Sequence, residues 1–144
     1  MKRRSTAIWQ GNGTEGKGTL SSVSGVLNKT PYSSFSRFKN EDGLAGTNPE
    51  ELIAAAHSGC YAMALSFMLA NAGYTATELK VEAAVNIEHV IDHFVITDIH
   101  LNLEGNVPGI SSEKFLELAG AAKINCPVSQ ALKAVEITLS AKLI

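Results

Sequence analysis

The chain has 144 residues, 45% of them hydrophobic and 18% charged, which suits a folded globular domain and excludes a disordered segment. A formal charge of -2 excludes a dedicated nucleic-acid surface. The basic cluster Lys2-Arg3-Arg4 is followed by no apolar run of signal-peptide length, so a cytoplasmic, single-domain protein spanning 1–144 is expected.

Residues 5–45 are rich in Gly, Ser and Thr, with strand-like pieces at 7–10, 19–23 and 34–39. Glycines at 11, 13, 16, 18 and 25 punctuate them as hairpin turns would. A helix then begins sharply. Asn48 suits the N-cap, Pro49 the first turn, and Glu51 stands three residues after Asn48, as in a capping box. Gly73 is the natural stop.

The apolar run 52–70 is long enough to span a membrane. It nevertheless contains His57, Ser58, Gly59 and Ser66 and lacks flanking Lys or Arg, so it reads as a buried core helix, and no membrane partner is expected.

Residues 79–87, 95–103 and 135–143 alternate apolar and polar side chains with period two. The apolar sets are Leu79, Val81, Ala83, Val85 and Ile87; Val95, Ile99, Leu101 and Leu103; and Val135, Ile137, Leu139, Ala141 and Leu143. Each strand thus shows one wet and one dry face. Between the last two lies a helix over 112–125, with Phe115, Leu118, Ala119 and Ala122 on one side, ended by Cys126-Pro127. The order is α+β.

The first helix is apolar nearly all round, while a one-sided sheet covers one face of it. Ala54, Ala55, Ala56, Gly59, Ala62 and Ala64 would let another backbone approach. A homodimer burying two such helices between two sheets would supply the missing cover, and is preferred to cover by the chain's own second helix.

Two cysteines in such a chain are not expected to form a structural staple. There is no CxxC, hence no thioredoxin-like motif and no four-cysteine zinc site. Cys60 and Cys126 could be packing residues, a redox pair or metal ligands. A glycine beside Cys60 in a helix interior costs ~1 kcal/mol relative to alanine, which suggests that space matters there. A reactive thiolate needs a cation or base. Arg37 is the sole arginine outside the amino-terminal tip, flanked by Phe35 and Phe38. Glu50 and Glu51 sit where the helix dipole favours carboxylates. His57 lies three residues before Cys60, on the same helix face. A Cys–His hydrolase pair and a His57–Cys60–Cys126 metal site are both conceivable, but no oxyanion motif or fourth ligand accompanies them. His89, His93 and His100 read as turn or wet-face residues.

TNPEELIAAAHSGCYAMALS, followed by AKINCPVSQ, closely resembles the OsmC/Ohr family of organic hydroperoxide peroxidases. The likeness covers essentially the whole chain and is stronger to the OsmC branch. In Ohr the arginine comes from the first strand region, where this chain has Lys17. The resemblance implies antiparallel sheets wrapped around a long buried central helix, in an interlocked homodimer with active sites at its interface. It implies Cys60 as the peroxidatic cysteine, Cys126 as the resolving cysteine, Arg37 as the thiolate-holding arginine and Glu50 as its orienting carboxylate. Substrates would be organic hydroperoxides, the reductant a dithiol of lipoyl type, and no metal or other cofactor would be needed. Phe35, Phe38, Tyr61 and Phe67 are candidate pocket walls, although core packing explains each equally well. Ser58-Gly59 departs from the two alanines of many relatives and would widen the pocket. Helix geometry adds a constraint. Glu50 and Cys60 are ten residues apart, an axial rise of ~15 Å, so the carboxylate serving Cys60 would come from a partner. The competing class is a noncatalytic dimeric stress or small-ligand-binding protein with vestigial cysteines.

Overall fold

The computed structural model describes residues 1–40 and 46–144; the end of the Gly/Ser/Thr-rich stretch, 41–45, lies outside them. The chain divides into two compact units, Met1–Leu52 and Ile53–Ile144.

The first unit holds an antiparallel sheet of β1 (Ser5–Gln10), β2 (Lys17–Ser22) and β3 (Thr30–Ser33), in that order. The turn between β1 and β2 is closed by Asn12, whose Oδ1 accepts from the N–H of Thr14 and of Glu15 at 3.0 and 2.7 Å, the usual turn chemistry of asparagine. Residues 34–39 were expected as strand. Ser34–Phe38 is instead a short helix, α1. The cause is a reciprocal cap: the Ser36 N–H donates to Ser33 Oγ at 3.1 Å, and the Ser33 N–H donates to Ser36 Oγ at 2.9 Å. Serine at the third position completes the box where Glu or Gln is more familiar.

The long helix α2 (Pro49–Asn71) starts in the first unit and continues into the second. Its start follows expectation, with the Glu51 N–H donating to Asn48 Oδ1 at 2.8 Å. Its end does too. Gly73 takes φ +85°, the Tyr74 N–H reaches back to Leu69 O at 2.9 Å and the Gly73 N–H to Ala70 O at 3.0 Å. This is the Schellman pattern, which needs a left-handed residue after the helix. By length and composition α2 could cross a membrane, but His57, Tyr61, Leu65 and Leu69 form a fully buried stripe at four-residue spacing. It is a core helix. Its opposite face carries exposed Gly59, Met63 and Phe67.

The second unit continues with β4 (Glu78–Val90), β5 (His93–Asn106), α3 (Ser112–Asn125), α4 (Pro127–Ala131) and β6 (Glu136–Leu143). The helix expected at 112–125 has those bounds, and Phe115, Leu118, Ala119 and Ala122 are its buried residues. The β4–β5 pair is antiparallel and the β5–β6 pair parallel. The parallel pair departs from the all-antiparallel expectation. The α3–α4 connection returns the chain to the end from which β5 began, as a crossover must. A register shift opposite Asn86 and Ile87 skips Thr97, as a β-bulge does. It sets Ile96 opposite Ile87 and Val95 opposite Glu88, so Ile96, not Val95, joins the dry face of Ile99.

The core of this unit gathers Tyr61, Leu65 and Leu69 from α2, Leu101 and Leu103 from β5, and Phe115, Leu118, Ala119 and Ala122 from α3. Full burial of a Leu or Phe side chain contributes about 1.5–3 kcal/mol. Cys126 is fully buried within this same cluster.

Candidate active site

Within the first unit, three contacts bring Arg37 to Glu50. Thr47 pairs with Tyr32 of β3, its N–H donates to Pro31 O at 3.0 Å, and Ser36 Oγ of α1 donates to Thr47 O at 3.2 Å. The base of α2 is thereby held against α1. Arg37 Nε then donates to Glu50 Oε2 at 3.1 Å and Nη2 to Oε1 at 2.7 Å. This is the two-pronged geometry that suits a guanidinium and a carboxylate. Glu50 is buried, while about a third of the Arg37 side chain remains accessible. The guanidinium carbon also lies 4.8 Å from the Phe38 ring centroid, within cation–π range.

Within the second unit, Cys60 on α2 meets Cys126, which occupies the N-cap of α4. Pro127 at the first position of α4 fixes the turn there. The two thiols are free and interact directly. Burial pushes the Cys60 thiol up; the Val128 N–H opposes this, and Cys126 adds to the rise. Burial also acts against ionisation of Cys126, but the Ser129 N–H, the Cys60 thiol, the Ser129 hydroxyl and the Val128 N–H together bring it below its ordinary value. The neutral Cys126 thiol makes no capping hydrogen bond; the helix-terminal N–H groups favour the thiolate.

His57, weighed in the sequence as a hydrolase partner or metal ligand but given no catalytic role, is fully buried, and its Nε2 lies 2.8 Å from Ser129 Oγ. Neither His57 nor Ser129 carries a sequence signal for this meeting beyond the proximity of each to a cysteine. Among the described residues no three His, Cys, Asp or Glu side chains gather as a metal site. Of the candidate pocket walls, Phe35 (55%), Phe38 (39%) and Phe67 (69%) are exposed, whereas Tyr61 is fully buried with its hydroxyl donating to Ala119 O at 3.1 Å. A methyl on Gly59 would meet nothing within 4 Å. A surface cleft of about 440 Å³ lies at Lys2–Ser5 and Ser22–Ser24, lined by none of these residues.

The model of the OsmC-like protein family matches residues 40–140. The Escherichia coli protein named peroxiredoxin OsmC is 49% identical over 143 residues, covering 99% of this chain and 97% of its own. The chain belongs to the OsmC-like family. The Bacillus subtilis organic hydroperoxide resistance protein OhrB is a more distant relative, 31% identical over 110 residues, or 71% of this chain and 74% of its own. The OhrB crystal structure superposes with a TM-score of 0.71 and 26% identity, covering 96% of this chain and 98% of that one. An OsmC-like protein of Vibrio cholerae shares the fold, with a TM-score of 0.77 at 16% identity over 99% of each chain. The higher identity to OsmC than to OhrB agrees with the OsmC-branch resemblance.

Proposed function

We propose that this OsmC-like chain is a cytoplasmic thiol peroxidase that reduces organic hydroperoxides to alcohols, working as one domain type in a homodimer. The observation that carries the proposal is the meeting of two free thiols, Cys60 and Cys126, inside one unit. The names of the E. coli and B. subtilis relatives, peroxiredoxin and organic hydroperoxide resistance protein, support it.

The Cys60 thiolate attacks one oxygen of ROOH, the O–O bond breaks, and the alkoxide takes a proton and leaves as ROH. Cys60 is then a sulfenic acid. Cys126 attacks its sulfur, expelling hydroxide that is protonated to water, and a Cys60–Cys126 disulfide forms. A dithiol, of the lipoyl type in our reading, restores both thiols by exchange.

Burial pushes the Cys60 thiol up, so the first step needs a cation. Arg37, aligned by Glu50, is that cation. The ~15 Å helix rise between Glu50 and Cys60 assigns the pair of one protomer to the partner's Cys60. The exposed face of α2 bearing Gly59, Met63 and Phe67 would be covered by the second copy. Exposed Phe35 and Phe38 would offer apolar walls to an alkyl tail, which sheds water on binding.

The test is turnover of an alkyl hydroperoxide with a dithiol. Cys60→Ser should abolish it, and persistent turnover would sink the reading. A Cys60 that titrates as an ordinary thiol, indifferent to Arg37→Ala, would favour a noncatalytic binding protein of this fold.

A further inference from the structure

We propose that His57 is a positioning residue for Cys126: through Nε2 it holds the Ser129 hydroxyl so that the hydroxyl proton points at the Cys126 sulfur as that sulfur becomes a thiolate and attacks. The inference rests on the peroxidase reading for its place in the cycle, but its geometry stands inside one unit, on α2 and α4.

Three observations carry it. His57 Nε2 and Ser129 Oγ are 2.8 Å apart, with His57 fully buried and Ser129 6% exposed. The Ser129 hydroxyl is among the groups that favour the Cys126 thiolate. A hydroxyl has one proton; if Ser129 donates it to sulfur, its oxygen accepts from His57, which sets the His57 tautomer as Nε2–H. Third, His57 Nδ1 is buried with no hydrogen-bond partner among the described residues. Among the described residues, Nε2 is the edge through which the ring makes its hydrogen bond.

In the resolving step the Cys126 S–H gives up its proton, the sulfur forms the S–S bond with Cys60, and the Cys60 S–O bond breaks to release hydroxide, which leaves as water. A donated hydrogen bond from Ser129 stabilises the sulfur anion before that bond forms, and a donor bonded in turn to a second donor is strengthened. The other titratable groups facing Cys126 are Cys60 and Tyr61, both from α2. Burial holds Tyr61 protonated far above neutral pH.

The test uses the full chain carrying Cys60→Ser, in which Cys126 is the sole thiol, so it does not depend on peroxide chemistry. Its thiolate is followed by ultraviolet absorbance across a pH series. Ser129→Ala and His57→Leu should each raise the midpoint by about one pH unit, a tenfold loss of thiolate. His57→Gln, whose amide N–H can take the place of Nε2–H, should stay close to the parent. A midpoint unmoved by His57→Leu, or moved equally by His57→Gln, overturns the proposal. In the chain with both cysteines, His57→Leu should slow disulfide formation more than it slows trapping of the Cys60 sulfenic acid by dimedone. Equal slowing of both steps would count against the inference, whereas absence of the Cys60 adduct in the unmodified chain would overturn the peroxidase reading instead.

Discussion

Arg37 and Glu50 face each other through two hydrogen bonds within one chain, at 3.1 and 2.7 Å, with Glu50 buried and Arg37 partly accessible. The buried carboxylate thus fixes the guanidinium plane and leaves part of the cation free for another anion. Glu50→Gln removes the charge but keeps the shape, and should lower kcat/KM for an alkyl hydroperoxide by roughly tenfold to a hundredfold, the loss of about 1.5–3 kcal/mol expected of a charged hydrogen bond. Arg37→Lys should cost at least as much, because an ammonium cannot make the two-pronged contact. Activity near that of the parent in both variants would remove the pair from the mechanism.

Cys126→Ser should uncouple the two halves of the cycle. One equivalent of hydroperoxide should be consumed rapidly, after which turnover stops and Cys60 accumulates as sulfenic acid or passes to the sulfinic form. Mass spectrometry of the quenched protein reads these species directly. Steady turnover at the parental rate would mean that Cys126 is not the resolving cysteine.

The apolar face of α2 supplies a third prediction. Phe67 is 69% and Met63 61% exposed in one chain. Phe67→Asp should weaken the proposed homodimer, seen as a monomer by sedimentation, and under the proposal that Arg37 and Glu50 serve the partner's Cys60, peroxidase activity should fall with it. A variant that is monomeric yet fully active would refute the shared site.

Histidine burial gives a pH dependence with a definite sign. Burial lowers the His57 pKa from 6.5, so below about pH 6.5 the unfolded chain binds a proton that the native chain refuses. Stability is full above that value and falls as the pH drops, with a slope approaching about 1.4 kcal/mol per pH unit, until the native histidine itself protonates. Urea unfolding of the parent and of His57→Gln between neutral and mildly acidic pH checks this. The variant should lose less stability over the interval; parallel curves would contradict the assignment.

Gly105 provides a packing test within the second unit. A methyl there would come within 2.6 Å of Phe115 Cε2, against a ring that is fully buried. Gly105→Ala should destabilise the protein by about 1–3 kcal/mol, the usual penalty of overpacking. A denaturant midpoint equal to the parent's would show that the ring can move aside.

The elements that local chemistry specifies were legible in the sequence. Asn48 and Gly73 bound α2 because their side chain and backbone satisfy helix ends within a few residues. The bounds of α3 and its buried face followed from period and from Cys126-Pro127. Strand alternation was readable up to the bulge at Thr97, where one skipped residue exchanged Val95 for Ile96. The serine cap that turns 34–38 into helix was local too, but Ser at the third cap position is a weak signal beside an alternating pattern.

The candidate site residues also came from the sequence: the motifs around Cys60 and Cys126 marked the cysteines, and composition left Arg37 as the available guanidinium. What the sequence determined was the ends of the two long helices, the period of the long strands and the residues these elements could offer to chemistry. Tertiary structure decided the partners: the parallel placing of β6 beside β5, Arg37 meeting Glu50 of its own chain, and His57 reaching Ser129 beside Cys126. Periodicity and capping act over a few residues, whereas these contacts join segments that come together only when the core closes, and no local pattern encodes which buried polar groups will then face each other.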